Sequence, residues 1–521
     1  MRLIVISAAA LALACSSVED RAACATSASC PSGQYCARTS DGSVCWADAV
    51  RPAVSLVTAS CAMTPCVRDG VLRVEATVTE DKELATVEAV LDLDSGARKI
   101  AMTAAGGRWV AELPLRDWPF EAYARPVVVS VVARDGARNE GSAEAVPVEV
   151  TRLRWVYDAG VPMSPAAVMD DGTIVVAGST ITDQLLAIGS SGESRWSVTI
   201  GSAFITATPS IADSAIWAAS SDGRLYATSH DGVRNGNAPC ATGEALHGGV
   251  AQVRDTTGKV VAGSQAAVLA LADLSGFCNL PAISGPARMS PVVLRSGLII
   301  AAGGSLLEAF SLQPNGSVRP TWSSTQIPNV GDSVTAPLAV DSEDATWSVA
   351  TDGSVHRTAL DGSTLRVATL GSSATGAVVL AGDDVVVGDQ SNVLHRINAT
   401  RPPLWTASAV LNGIPSAPLV VSGPSTHLIV PTSTGRLYAI RESDGSIAWS
   451  VKLSAAGAAL QPANIYTPPG QPAGAVMSTA YAAGADGKLY AVIVDGELDT
   501  AAPWPKAFHD PRNTNNAGTQ P

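Results

Sequence analysis

From residue 152 onward the chain carries short apolar runs separated by turn residues, and the pattern recurs about every 40 to 46 residues. The copies Gly223-Arg224-Leu225-Tyr226-Ala227, Gly435-Arg436-Leu437-Tyr438-Ala439 and Gly487-Lys488-Leu489-Tyr490-Ala491 show the unit plainly. Each reads as a strand entered through a tight turn, where glycine reaches positive φ at no steric cost. A fixed period with strands and turn glycines in every unit predicts an all-β architecture, a β-propeller with one blade per period. Blades are expected to open near Ser164, Ala207, Gly248, Met289, Thr335, Gly376, Ser416 and Pro462, which makes about eight.

In the better-preserved copies a Trp follows the third strand and its Asp-Gly or Ser-Gly turn, as from Ala439 through Asp444-Gly445 to Trp449 and from Ala187 to Trp196. Trp322 and Trp405 hold comparable places. A large flat side chain on the outer strand can fill the gap between neighbouring blades. Trp155 precedes the first complete blade, whereas the final unit, Ala480 to Val494, has no Trp strand after Asp495-Gly496. Residues 152 to 158 are therefore expected to supply the last blade's outer strand and leave no sheet edge exposed.

The front third reads differently. Over 51–151, Leu72, Val74, Ala76 and Val78 alternate with Arg73, Glu75, Thr77 and Thr79, and Val90 to Asp94 and Trp109 to Leu115 follow suit. Val127 to Ala133 is denser and predicts a central strand. Several such strands in about 100 residues predict an immunoglobulin-like β-sandwich. Its stretch Ala133-Arg134-Asp135-Gly136-Ala137-Arg138-Asn139 resembles the A-x-D-x-x-G-N ending of bacterial Ig-like repeats. No metal site is read here, since Asp92-x-Asp94 stops at Gly96 without a ladder of aspartates.

Residues 15–50 contain too few apolar side chains for a core, so Cys24, Cys30, Cys36 and Cys45 must hold them as disulfides, in one of three connectivities. Ahead of them, Met1-Arg2 and the apolar stretch Leu3 to Leu13 form a targeting segment too short to span a bilayer. Its end, Leu11-Ala12-Leu13-Ala14-Cys15, resembles the lipobox of bacterial lipoproteins. That resemblance implies a signal peptide over 1–14 and a lipid on Cys15; Ser16 after it implies sorting to the outer membrane, facing the periplasm or the cell surface. Of nine cysteines, Cys15 leaves eight, and Cys61 with Cys66 and Cys240 with Cys278 form further local pairs. The last pair stands about one blade apart, so it is expected to tie neighbouring blades.

Composition narrows the partners. Hydrophobic residues make up 46% and charged residues 16%, and the net charge of −13 has no Lys/Arg cluster within it. Nucleic acid and anionic membrane surfaces are therefore excluded as direct partners. The membrane is expected to be reached only through the lipid.

The 439–449 copy resembles the tryptophan-docking repeat of the PQQ-like (quinoprotein and BamB-like) propeller superfamily. Pro503-Trp504-Pro505-Lys506-Ala507-Phe508-His509-Asp510-Pro511-Arg512-Asn513-Thr514 is similar to the superfamily's Trp-Pro-x-x-x-x-Asp-x-x-Asn-Thr segment. The resemblance, over 152–514, implies a ring of about eight blades and two possible functions: quinoprotein dehydrogenase, or assembly lipoprotein without cofactor. The dehydrogenases use an adjacent Cys-Cys disulfide and a calcium held by Glu and Asn, and no adjacent cysteines or c-type haem motif occur here. His230, His247, His356, His395, His427 and His509 are scattered without H-x-H or H-E-x-x-H spacing, and neither G-x-S-x-G nor a Walker loop is present. His509-Asp510 is read as a structural hydrogen-bonding pair. The expectation is a monomeric protein without catalytic residues, cofactor or metal, whose propeller is a protein-binding or scaffolding platform that meets envelope or surface proteins through its loops, in a BamB-like assembly role or in surface adhesion. A PQQ-dependent dehydrogenase is the alternative.

Overall fold

The computed structural model describes residues 21–40, 42–92, 96–118, 120–179, 183–201, 208–236, 240–253, 258–327, 338–380, 382–398, 401–406, 411–472 and 475–521. The expected signal segment, Cys15, and the blade starts at Ala207 and Thr335 lie outside the described residues. The chain divides into two units, Met1–Phe120 with Arg125–Val150, and Glu121–Ala124 with Thr151–Pro521.

The first unit opens on a hairpin, Gln34–Thr39 paired with Gly42–Ala47, held by the disulfides Cys24–Cys36 and Cys30–Cys45. Two four-stranded antiparallel sheets follow. One orders Ala53–Ser60, Val71–Thr79, Arg108–Pro114 and Thr103–Ala105; the other orders Glu140–Glu144, Val129–Asp135, Leu84–Leu91 and Arg98–Ala101. Alternation sets their faces: Leu72, Val74 and Ala76 are buried while Arg73 is exposed, and Val129, Val131 and Ala133 are buried. The apolar run Val127 to Ala133 is not one strand. It breaks at Val128, with Ala124–Val127 in a small three-stranded sheet and Val129–Asp135 at the centre of the second large one. Apolarity marks burial, and here both strands are buried in part, so the run concealed the break. Cys61 and Cys66 form a third disulfide.

The second unit is a ring of eight antiparallel sheets among the described residues. Blade 1 runs from its inner to its outer strand through Ala167–Val168, Ile174–Ser179, Asp183–Ile188 and Ser194–Gly201. Blades 2 to 7 repeat that order over 210–241, 246–279, 292–323, 339–369, 374–406 and 419–452. Blade 8 comprises Asn464–Tyr466, Met477–Ala483 and Lys488–Asp495, and its outer strand is Leu153–Asp158, paired with Val156 opposite Tyr490. The ring is thus closed by strands from both ends of the unit. Most second strands are buried along their whole length, as in Met477–Ala483 and Val385–Asp389, because neighbouring blades cover both faces; an outer strand such as Thr364–Thr369 has no buried residue.

After Asp495 no Trp strand follows. Glu497–Leu498 instead pairs with Val421 and Ser422 and adds a fifth strand to blade 7. Gly496 makes the crossing possible: its φ is 135°, and a Cβ there would collide with the carbonyl of Ser422.

The repeated Asp-Gly turns have a structural job. In Asp222-Gly223-Arg224-Leu225-Tyr226, Asp222 Oδ1 accepts the Arg224 N–H at 3.0 Å and its Oδ2 accepts the Tyr226 hydroxyl at 2.6 Å. Asp486 does the same for Lys488 and for Tyr490, the latter at 2.6 Å. The spacing of carboxylate and tyrosine is what the repeat preserves. In the third copy Thr434 replaces the aspartate, and the Tyr438 hydroxyl accepts the Asn412 N–H at 2.8 Å instead.

Blade contacts use the outer-strand aromatics. Trp196 stacks on Gly232 of blade 2, where a Cβ would come within 2.7 Å of the ring, and its N–H donates to the His230 carbonyl at 2.9 Å. Trp155 reaches Gly192 and the Ser190 carbonyl in the same way, Trp405 reaches Gly445 and the Glu442 carbonyl, and Trp322 covers Gly362 with its N–H unpaired. Trp449 differs: it meets Tyr123, with ring centres 6.1 Å apart, and the Arg152 guanidinium at 5.5 Å. Blade 3 uses Phe277 against Gly316, and the Cys240–Cys278 disulfide links it to blade 2. Trp196→Ala is expected to destabilise the ring by about 3 kcal/mol, read as a lower urea midpoint at unchanged slope. An unchanged midpoint would show that this contact contributes nothing.

Candidate functional site

The two ends of the ring's axis are the places where a propeller can hold a ligand, and here they differ. One end is filled by the chain itself. Residues 503–517 lie across the inner strands: the carbonyls of Pro511, Arg512, Thr514 and Asn515 accept the N–H groups of Val168, Ile211, Gln252 and Val293, on blades 1 to 4. Trp504 exchanges backbone hydrogen bonds with Val379 on blade 6, and the Pro505 carbonyl accepts from Val420 on blade 7. Blade 8 is reached through Asn464, whose Nδ2 donates to the Pro511 carbonyl at 2.8 Å. The short inner strands leave a row of free N–H groups round the axis, and this segment satisfies one on each of six blades among the described residues.

The segment is buried and tightly determined. Trp504 is wholly covered, and Phe508, His509, Asn513 and Asn515 all hold positive φ. Lys506 is only 1% exposed, and its ammonium donates to the carbonyls of Ala507 at 2.6 Å and Asp510 at 2.9 Å and to Asn513 Oδ1 at 2.6 Å. Burial pulls its pKa down to about 7, against a smaller upward pull from Asp510. Burial alone would raise Asp510, but hydrogen bonds from His509, Thr514 and Thr519 outweigh it and hold the carboxyl below its usual value. His509 Nδ1 lies 3.4 Å from that carboxylate, and its ring stands 4.7 Å from the Trp504 ring. Sequence reasoning singled out these residues as a motif but not as the filling of the axis. Arg512 continues onto the outer face, where it binds Asp170 and Asp213, each at 2.8 Å. Those groups border an open cavity of about 690 Å³.

At the other end is a funnel of about 410 Å³, lined by residues that precede the inner strands, among them Thr208, Ser290, Thr375 and Ser416, with Gln390 and Gln461. Phe508 lies in its lining from the axial segment. Hydroxyls, amides, prolines and small residues face it, and none of its described lining residues is Asp, Glu, Lys, Arg or His. Such a surface can hydrogen-bond a neutral polar group and little else. A quinone cofactor carrying carboxylates needs cationic partners, and its calcium needs carboxylate oxygens. The described lining offers neither, so it does not fit that group.

The other candidates are dispersed. His230 contacts the Ala212 carbonyl at 3.0 Å, His356 the Ser354 hydroxyl at 2.8 Å, and His395 the buried Asp389 at 2.9 Å. Among the described residues none of the histidines joins another in a metal-like cluster. The cysteine Sγ atoms of the second unit are bonded to each other.

A family model described as outer membrane protein assembly factor BamB matches residues 125–276 and 290–517. The chain belongs to this BamB family. A protein from Yersinia pestis described as outer membrane protein assembly factor BamB is 31% identical over 126 residues, 24% of this chain. The chain spans only 29% of that relative's length. Among solved structures, the crystal structure of the computationally designed Ika8 protein covers 66% of this chain and 100% of its own, at TM-score 0.51 and 11% identity, a likeness of fold. The crystal structure of BamB from Moraxella catarrhalis aligns over 65% of this chain at TM-score 0.46 and 15% identity. The BamB match includes the axial segment up to 517 but begins at 125, so the cysteine-rich hairpin and most of the first unit stand outside it.

Proposed function

We propose that the protein is a non-catalytic envelope lipoprotein whose propeller is a protein-binding platform serving outer-membrane protein assembly. The observation that carries this reading is the state of the axis: one end is filled by residues 503–517, and the other is a funnel whose described lining holds no charged side chain, acid, base or ligand set. Chemistry of the dehydrogenase kind needs charged groups there, whereas docking of a partner segment on blade loops needs only hydrogen-bonding and apolar surface. Membership of the BamB family supports the assembly role. The first unit, an Ig-like sandwich with its disulfide-held hairpin, acts as a spacer between the lipid on Cys15 and the propeller.

A photo-crosslinking side chain placed at Gln390 or Gln461 on the funnel, in intact cells, is expected to capture a component of the outer-membrane assembly machinery. Capture of surface-adhesion partners alone would move the role to adhesion. Calcium-dependent alcohol oxidation by protein supplied with the quinone would overturn the non-catalytic reading. Cys15→Ala is expected to release the protein from the membrane fraction, and a variant still found in that fraction would remove the lipid anchor from this account.

A further inference from the structure

Outside the propeller, the fold of the first unit gathers three carboxylates that lie far apart in the sequence. Asp48 follows the disulfide-held hairpin, Glu80 follows the strand Val71–Thr79, and Asp135 ends the strand Val129–Asp135. One carboxylate oxygen from each lies within 4.8 Å of the others. Two oxygens bound to one calcium ion at about 2.4 Å can be at most about 4.8 Å apart, so the spacing suits a shared ion.

A second observation is independent of this clustering. Asp48 is only 7% exposed, and its Oδ2 is buried without a hydrogen-bond partner. Glu80 Oε2 is likewise buried and unpartnered, although its Oε1 accepts the N–H groups of Asp81 and Lys82. Asp135 is 1% exposed. Unmet acceptors aimed into a buried acidic cluster carry a full desolvation cost unless a cation or a proton meets them. The neighbouring cations are engaged elsewhere: Lys82 binds Asp81 at 3.0 Å, Arg134 binds Glu140 at 2.8 Å, and Arg138 donates to the Ala28 carbonyl at 3.2 Å.

The arrangement is also built from outside. Asn139 donates its backbone N–H to Asp135 Oδ1 and its Nδ2 to Asp135 Oδ2, both at 2.8 Å, while the same Nδ2 holds the carbonyls of Asp48 and Val50. Asp48 Oδ1 accepts the Val50 N–H at 2.9 Å, which turns its other oxygen away from the backbone. One asparagine thus fixes the Asp135 carboxylate and the backbone that carries Asp48.

We propose that Asp48, Glu80 and Asp135 form a binding site for a hard divalent cation, calcium by its all-oxygen donors and irregular geometry. The donor set contains no nitrogen or sulfur to select zinc, and calcium accepts irregular oxygen shells that magnesium does not. Bound there, the ion ties the hairpin to two strands of the sandwich and stiffens the unit.

The test is calorimetric titration of the EDTA-stripped full chain with calcium chloride, paired with thermal unfolding. One saturable site is expected, with a higher unfolding temperature for the first unit. Glu80→Gln should weaken binding at least about tenfold and abolish the thermal shift, whereas Glu112→Gln, on an exposed strand face, should change neither. Absence of binding by the wild-type chain up to about 10 mM calcium overturns the proposal, as does equal binding by a folded Glu80→Gln variant. Should Glu80→Gln fail to fold, Asp48→Asn provides the same comparison, and the wild-type titration decides on its own.

Discussion

A chain ending at Ala502 is expected to lose the cooperative unfolding transition of the propeller. The residues removed carry the backbone hydrogen bonds to Val168, Ile211, Gln252, Val293, Val379 and Val420, together with the wholly buried Trp504. At about 1 kcal/mol for each bond and 3 to 5 for the indole, the loss is on the order of 10 kcal/mol, comparable with the whole stability of a folded domain. Inner strands of two residues, such as Ser210–Ile211 and Val292–Val293, would then face the axis with unmet N–H groups. Urea unfolding followed by tryptophan fluorescence and by circular dichroism reads the result. A truncated chain with the wild-type midpoint and slope would show that the blades hold the ring unaided.

Lys506 provides the second large effect, and its sign can be worked out. Its pKa is about 7 in the folded chain against 10.5 when free, so between those values the unfolded state binds more protons. Stability therefore rises with pH across that window and is flat with respect to this group below it, by roughly 4 to 5 kcal/mol in all. Lys506→Met abolishes this rise. The variant also leaves the Ala507 and Asp510 carbonyls and Asn513 Oδ1 without their donor, at about 1 kcal/mol or more each. At pH 10 it should be less stable than the wild type by about 3 kcal/mol, while near pH 6 relief of the desolvation cost offsets the loss. Urea midpoints of both proteins at the two pH values check this, and parallel pH profiles would exclude Lys506 as the titrating group.

Much of the fold was legible because the propeller states its rule repeatedly. Strand-turn-strand signals recur at a fixed spacing, and the Asp-Gly-x-x-Tyr copies encode a turn closed by its own carboxylate. Trp155 was informative by being out of place: a docking residue ahead of the first blade fits only a ring closed by the incoming strand. The axial segment was less legible. Its motif marks it as special, but its partners are main-chain N–H groups of distant blades, and such groups leave no residue pattern. The break at Val128 was hidden because strands of two different sheets can share one apolar run. The acidic cluster was invisible for a different reason, since each carboxylate sits in its own segment and only the fold brings Asp48, Glu80 and Asp135 to one point.

The way the ring is finished has a consequence for timing. Blade 8 needs Leu153–Asp158 from the start of the unit, and the axial segment follows every blade in the chain. A polypeptide emerging in order can therefore assemble its blades but can neither seal the circle nor seat Trp504 until those last residues have arrived. Until then the molecule is an open, unlatched arc with bare N–H groups at its centre. A protein of this design stays pliable while it is being made and locks only once residues 503–517 are seated.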